Sequence, residues 1–397
     1  MENKEYKNKI YEKFNLENIK QAVKRINYDS IVFIALITVF ALIARVCLFP
    51  KESGDYHQFL LPWYNQLKDN GGIAAIGMNI GDYMPTYYYI MAILTYLPLS
   101  PLVAIKLVSC IADVILAIMM YKTVKHLTNS KNKSLVAYAV TLFLPSVILN
   151  SSAWGQCDSI YTLFIVLSLY SVLRGKSWRC MLYFSIAFMF KIQAVFFAPV
   201  ILILLMKRKI NTTSVLAFPL VYFVTIMPAV MAGANFLHLL TVYFRQAGQY
   251  KLLNMYIQNA WSILFEVTSP ELSKAGVYFA GGIVLIAIFL VFRSKIELTN
   301  KNIVTLSSLF VLLVPFVLPH MHERYYYPAT IMALLFVMIN PKKIWTLLIM
   351  EFCLFQAEAH NLFGKEALEF NFSIMLVTFV LVTYFKAVYD QIKKPAS

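Results

Sequence analysis

The stretch PTYYYIMAILTYL (Pro85–Leu97) decides how the chain is threaded. It is apolar and aromatic, but its thirteen residues would rise only about 20 Å as a helix, against roughly 30 Å of hydrocarbon in a bilayer. It therefore reads as a helix lying in the membrane interface, where Tyr87, Tyr88 and Tyr89 suit the headgroup level. Upstream, Ser30–Phe49 is long enough to cross. The segment before it, 1–29, carries seven Lys and Arg and places the N-terminus in the cytoplasm. That segment reads equally as an interfacial amphipathic helix or as a solvated basic tail. Residues 50–101 then form a long outer loop with helical pieces at Tyr56–Leu67 and Pro85–Leu97. Leu102–Tyr121 becomes the second span, and the basic run Lys122–Lys133 falls inside.

Composition agrees with this threading. The 397 residues are 60% apolar and 14% charged, with a mean hydropathy of +0.66. Soluble chains hold roughly 25% charged residues, and repeated apolar runs divided by short polar stretches make an all-α polytopic membrane protein. The weak ten-residue alternation of an outer-membrane barrel is missing. The net charge of +15 reflects topology rather than nucleic acid, because most Lys and Arg sit in alternate loops. The five cysteines lie mostly inside spans, with Cys157 in an outer loop, so neither a disulfide framework nor a Cys-x-x-Cys metal site is expected. No small-residue cleavage site follows the basic segment, so no signal peptide is expected.

Further along, Leu135–Leu149 and Ser159–Leu173 read as spans joined by the outer turn Asn150–Asp158. Residues 180–206 are too long for one span and too short for two, with Lys191 and Gln193 midway. Two half-helices meeting at a polar break fit this length, provided the break is buried or lines a cavity. Thr212–Ala232 leads to a second long outer loop, 233–274. Spans then follow at Ala275–Val291, Ile303–Leu318, Tyr325–Asn340, Ile344–Glu358 and Phe372–Ala387. The expectation is a bundle of about 10–12 transmembrane helices with both termini cytoplasmic. It has a catalytic module at 30–330 and C-terminal helices with a tail at 331–397.

Costly polar residues gather on the outer side: Asp55, His57, Asp82, Gln156, Asp158, Arg245, Lys251, His320, His322, Glu323 and Arg324. Each alone reads as an ordinary loop residue; their convergence carries the weight. Lys191 lies at membrane depth, where a cation costs on the order of 2.5–3.5 kcal/mol on insertion scales and marks a site by default. Its alternative is structural pairing with Asp113, while Lys106 and Asp113, at i and i+7, can neutralise each other or a neighbouring helix. There is no glycine-rich phosphate loop or βαβ pattern for a cytoplasmic nucleotide enzyme. A transporter would place broken helices in two related halves, and only one such pair is present. A lipid-linked-sugar flippase or other transporter nevertheless stays open as the alternative function, motivated by Lys191, Lys106 and Asp113.

At these residues the sequence resembles the GT-C superfamily of integral-membrane glycosyltransferases. It is most similar to bacterial relatives of the GPI-anchor mannosyltransferases and of the dolichyl-phosphate-glucose-dependent glucosyltransferases. Gly54-Asp55-Tyr56 resembles the first-loop motif whose Asp is the catalytic base. Asp82-Tyr83-Met84-Pro85 resembles the Asp-Tyr-Pro-Pro that opens the second interfacial helix, with Met84 departing from it. Trp154-Gly155-Gln156-Cys157-Asp158-Ser159 and Lys191-Ile192-Gln193-Ala194 are similar to a polar turn and a half-helix segment of these relatives. His320-Met321-His322-Glu323-Arg324 resembles a His-Val-His-Glu-Lys motif.

The resemblance implies an inverting transfer of a hexose, of mannose or glucose type. The donor would be polyprenyl-phosphate-linked and the acceptor a cell-envelope glycan or glycolipid, at the outer face of the plasma membrane. Asp55 would be the base, with Arg324, Arg245 and Lys191 on the donor phosphate. Asp82, Tyr83, Gln156, Asp158, Gln193, His320, His322 and Glu323 would position substrate. Membrane lipids are expected partners and nucleic acid is not. No cofactor is implied. A divalent metal on Asp55, Asp158, His322 and Glu323 is conceivable, since mixed His and carboxylate sets occur with and without metals.

Overall fold

A computed structural model describes residues 28–247, 250–264 and 267–393. Apart from Tyr28 and Asp29, the basic segment expected over 1–29 lies outside the described residues. The protein is an all-α polytopic membrane protein. Among the described residues, six helices are long and apolar enough to cross a membrane: Tyr28–Val46, Pro101–Thr128, Thr212–Met231, Pro270–Arg293, Asn300–Val317 and Phe372–Lys393. A seventh crossing is a bent pair, Lys131–Phe143 with Pro145–Trp154, meeting at 50°. Pro145 supplies the bend, because its ring blocks the helical ladder and it has no N–H to donate. Any further crossings of the 10–12 expected would be made by helices of 13 to 20 residues, such as Asp158–Leu173, Ser177–Phe190, Tyr327–Ile339 and Ile344–Phe363.

Helix ends follow local chemistry. The second crossing starts at Pro101, whose missing N–H costs nothing in a first turn; the Ser100 hydroxyl accepts from the Val103 N–H. It ends at Asn129, in the left-handed region with φ 50°. Tyr327–Ile339 occupies the centre of the bundle and is buried continuously from Tyr327 to Met338. Around it pack Asn300–Val317, Asp158–Leu173 and Ile344–Phe363. Tyr28–Val46 and Pro270–Arg293 instead expose rows of large apolar side chains, among them Phe40, Phe279, Leu285 and Leu290. In a membrane protein such faces are the lipid-facing rim.

Tyr87 and Tyr88 differ from expectation. The Pro85–Leu94 helix buries both rings in the protein rather than offering them to headgroups. The Tyr88 hydroxyl accepts from the Tyr83 N–H at 3.0 Å.

The half-helix pair over 180–206 is present. Ser177–Phe190 stops at Lys191, which is extended (φ −155°, ψ 133°), and a 3-10 turn, Ile192–Phe197, leads into Ala198–Met206. A helix broken in this way leaves carbonyls without intrahelical partners. The Tyr243 hydroxyl donates to the Phe188 carbonyl, and the Thr86 hydroxyl to that of Met189. Side chains from two other elements thus complete the break.

Of the pairings open from sequence, Asp113 takes the one with a neighbouring helix. Asp113 binds neither Lys191 nor Lys106 but Arg45, at 2.9 Å, with both side chains buried. Arg45 also donates to the carbonyls of Ala41 and Leu142. Lys106 donates to the carbonyls of Leu48, Phe49 and Lys51, where the first helix unwinds. The reason is direction: Lys106 reaches the frayed end of a neighbouring segment, whose free carbonyls suit an ammonium. Cys157, placed in an outer loop from sequence, is buried, and all five cysteines are free.

Candidate functional site

Two wide helical turns build the site. Ser53 donates its hydroxyl to the Trp154 carbonyl at 2.9 Å and accepts from the Tyr56 N–H, which sets Asp55 at the start of a π-helical turn, Tyr56–Leu60. Facing it, a second π-helical turn, Leu149–Trp154, ends at Gly155 with φ 79°. Turns of this kind recur at functional sites because they redirect side chains within one helix. Gly155 is required by its backbone: a Cβ there would meet ordinary contacts of 3.6 Å and more, but other residues resist that conformation.

The two turns bring their polar side chains together. Asp55 Oδ2 accepts from Trp154 Nε1 at 3.0 Å and from Gln156 Nε2. Arg324 Nη1 stands 3.6 Å from the same oxygen. Every one of these contacts falls on Oδ2, which leaves Oδ1 without a partner among the described residues. The Asp55 side chain is 24% exposed, whereas Asp158 and Glu323 are buried.

Arg324 is the hub. Its Nε lies 3.6 Å from Asp158 Oδ2, its Nη1 is 3.2 Å from Glu323 Oε1, and its guanidinium sits 5.1 Å over the Trp154 ring. Burial works to lower its pKa, but Asp55, Glu323 and Asp158 together push it well above the usual arginine value. Glu323 shows the converse: burial raises its carboxyl, while the His322 hydrogen bond and the charges of His322 and Arg324 bring it below the ordinary value of 4.5.

Behind Arg324, Asp158 is bonded to Lys191 through Oδ1 and accepts from Asn150 Nδ2 at 3.0 Å. The Lys191 ammonium is 3% exposed and lies over the rings of Tyr161 and Tyr325. Asn150 also donates to Glu358, a fully buried carboxyl.

A cavity of about 550 Å³ opens above this cluster. Of the residues singled out from sequence, Asp55, Asp82, Tyr83, Gln156, His322, Glu323 and Arg324 line it. Burial pushes the Tyr83 hydroxyl well above the usual tyrosine value, so it stays a neutral donor there. Lys191 and Asp158 sit beneath the lining, and Gln193 is buried in the 3-10 turn beyond them. Arg245 stands in an adjoining groove with Asp82 and His238, where it donates to Thr241 and to the His238 carbonyl. His320 turns away from the cavity: with φ 62°, it bonds Ser273 and the Leu252 carbonyl.

Sequence reasoning missed Tyr250, Tyr256, His360 and Asn361, which also line the cavity. The first two lie in the second long loop, where no periodicity points at them. The last two follow the 330 boundary drawn from sequence. Asn254–Met255 pairs in parallel with Met321–His322, a contact between distant segments that no local sequence pattern announces. Among the described residues, no group of three or more His, Cys, Asp or Glu is placed to hold a metal ion.

A search of curated proteins returns no match. A family model, glycosyltransferase family 87, matches residues 83–319. The match contains Tyr83, Gln156, Asp158, Lys191, Gln193 and Arg245; its ends fall just inside Asp82 and the His320–Arg324 run, and Asp55 lies upstream of it. It covers more than half of the chain, which therefore belongs to glycosyltransferase family 87, a membrane family of the GT-C type.

Proposed function

We propose that this glycosyltransferase moves a hexose, of mannose or glucose type, from a polyprenyl-phosphate-linked donor to a cell-envelope glycan or glycolipid, with inversion at the outer face of a bacterial plasma membrane. In the reaction the bond between the anomeric carbon and the phosphate oxygen breaks, and the lipid phosphate leaves with the electron pair. The acceptor hydroxyl oxygen forms the new bond, and its proton passes to Asp55. Glycosidases use two carboxylates because an alkoxide leaving group needs a proton. A phosphate leaves as an anion and needs a fixed cation instead.

The observation that carries this reading is the Asp55–Arg324 pairing at the cavity. One carboxylate oxygen is held by Trp154 and Gln156 while the other has no partner among the described residues, and a permanently charged guanidinium stands beside it. That is the arrangement of a general base next to an anion site. Lys191 acts on this picture through Asp158, as a positioning residue. Arg245, in the adjoining groove, would meet a lipid phosphate on approach. The cytoplasmic termini belong to the same proposal, and the catalytic module of 30–330 extends in it to His360 and Asn361, which line the cavity.

The intramembrane charges that would motivate a flippase find partners inside the protein: Asp113 and Lys191 are paired with Arg45 and Asp158, and Lys106 donates to backbone carbonyls. Purified protein in nanodiscs with radiolabelled polyprenyl-phosphate mannose and glucose tests the proposal. A new glycosidic bond on an envelope-lipid fraction supports it. Transbilayer movement of the labelled lipid in liposomes without any transfer overturns it.

A further inference from the structure

Tyr256 lines the cavity and is in the left-handed region, with φ 66°. A bulky aromatic residue adopts that backbone only where its surroundings dictate it. Here they do. Asn254 Oδ1 accepts the Tyr256 N–H at 2.8 Å, while Asn254 Nδ2 donates to the Ile257 carbonyl and to Asn259 Oδ1. Asn259 in turn donates to the carbonyls of Pro315 and Leu318, and the Tyr326 hydroxyl donates to that of Gln258. The strand pair Asn254–Met255 with Met321–His322 ties this loop to the Arg324 segment.

The result of all this bonding is one ring placement. The Tyr256 ring lies parallel to the His360 imidazole, with centroids 3.7 Å apart and planes within 11°, and packs against Phe370 at 4.6 Å, so the outer face of His360 is the one the pair offers. Beside it, Asn361 Nδ2 donates to Glu323 Oε1 at 3.4 Å, which fixes the amide. On the same cavity, His322 Nε2 is buried and has no hydrogen-bond partner among the described residues. The site therefore combines a rigid aromatic pair, an oriented amide and an orphaned imidazole nitrogen. A lipid tail has no use for oriented polar atoms, whereas a sugar ring needs both kinds of contact. Its C–H face packs on an aromatic ring and its hydroxyls take the polar groups.

We infer that the Tyr256–His360 pair, with Asn361 and His322, forms a binding subsite for a pyranose ring. The subsite rests on the glycosyl-transfer reading for its purpose, but not on Asp55 being the base. The ring belongs either to the donor or to the acceptor, and kinetics separate the two.

The test uses full-length protein in nanodiscs. Saturation-transfer NMR with methyl mannopyranoside and methyl glucopyranoside reads sugar contact directly, and KM is measured for each substrate. Tyr256→Gly removes the ring and keeps the backbone, since glycine accepts that φ; His360→Ala is the second variant. Both should lose saturation transfer to the ring protons. Both should also raise KM at least tenfold for one substrate and leave the other within twofold. A rise for the donor places its sugar on the wall; a rise for the acceptor places the acceptor there. Wild-type saturation transfer and both KM values unchanged, in either variant with unaltered thermal unfolding, overturn the inference. If Asp55→Asn keeps full transfer while Tyr256→Gly loses sugar contact, the subsite stands and the base assignment falls.

Discussion

Lys191→Met should be among the most damaging single changes outside the cavity lining. Lys191 and Asp158 are 3% and 0% exposed, so neither charge has water to fall back on. With Lys191 gone, Asp158 keeps one neutral donor, Asn150 at 3.0 Å, and one cation, Arg324 at 3.6 Å. Breaking a buried pair from one side costs about 3–5 kcal/mol, because the remaining charge stays desolvated. Arg324 can recover part of this by moving toward Asp158, but that draws it off Asp55, also at 3.6 Å. The prediction is a loss of about 3 kcal/mol, near the low end of that range, together with a fall in transfer. Reversible unfolding in a detergent titration gives the first and the transfer assay gives the second. Adding Asp158→Asn to Lys191→Met should restore roughly 1–2 kcal/mol, a coupling of the size expected for contacting residues. A single variant within about 0.5 kcal/mol of wild type, the range of ordinary surface changes, would refute the burial argument.

Three further outcomes follow from the geometry. Gly155→Ala should cost about 1–2 kcal/mol through its left-handed backbone alone, since the new Cβ meets only ordinary contacts; thermal unfolding checks it. Arg324→Lys keeps a charge but cannot engage Asp55, Asp158 and Glu323 at once, so kcat should fall roughly tenfold or more, the worth of one charge-assisted contact, in the transfer assay. Glu323 is held below 4.5 in the folded state, so its contribution to stability is fully present above 4.5 and is lost as pH falls through the folded value. Glu323→Gln should therefore flatten the stability profile below pH 4.5, measured by unfolding across pH.

Span pattern and charge asymmetry were enough to give the class, and the thirteen-residue stretch at 85–97 correctly marked a helix too short to cross. The break at Lys191 was legible because apolar length and a buried charge conflict there, and the chain resolves the conflict by unwinding. The site was partly legible: the runs at 54–58, 154–158 and 320–324 carry enough polar residues to suggest convergence, and most of those residues do meet. Pairing inside the bundle was not. Lys106 and Asp113 share a helix face, yet their partners are fixed by which segment packs against that face, a fact of tertiary packing. His320 and His322 look alike in sequence, but a backbone φ of 62° at the first sends their rings apart. The Tyr256–His360 wall comes from a loop and a late helix whose meeting no local pattern announces.

The central claim is that Asp55 takes the proton from the acceptor hydroxyl. Asp55→Asn keeps an oxygen for Trp154 and Gln156 to bond, removes the ability to accept a proton and takes away the charge that faces Arg324. Single-turnover transfer from a labelled polyprenyl-phosphate hexose, with donor binding measured separately, tests it directly. A fall of about 10²–10⁴ in the transfer rate, with donor affinity held, is what the account predicts. Transfer at the wild-type rate would contradict it.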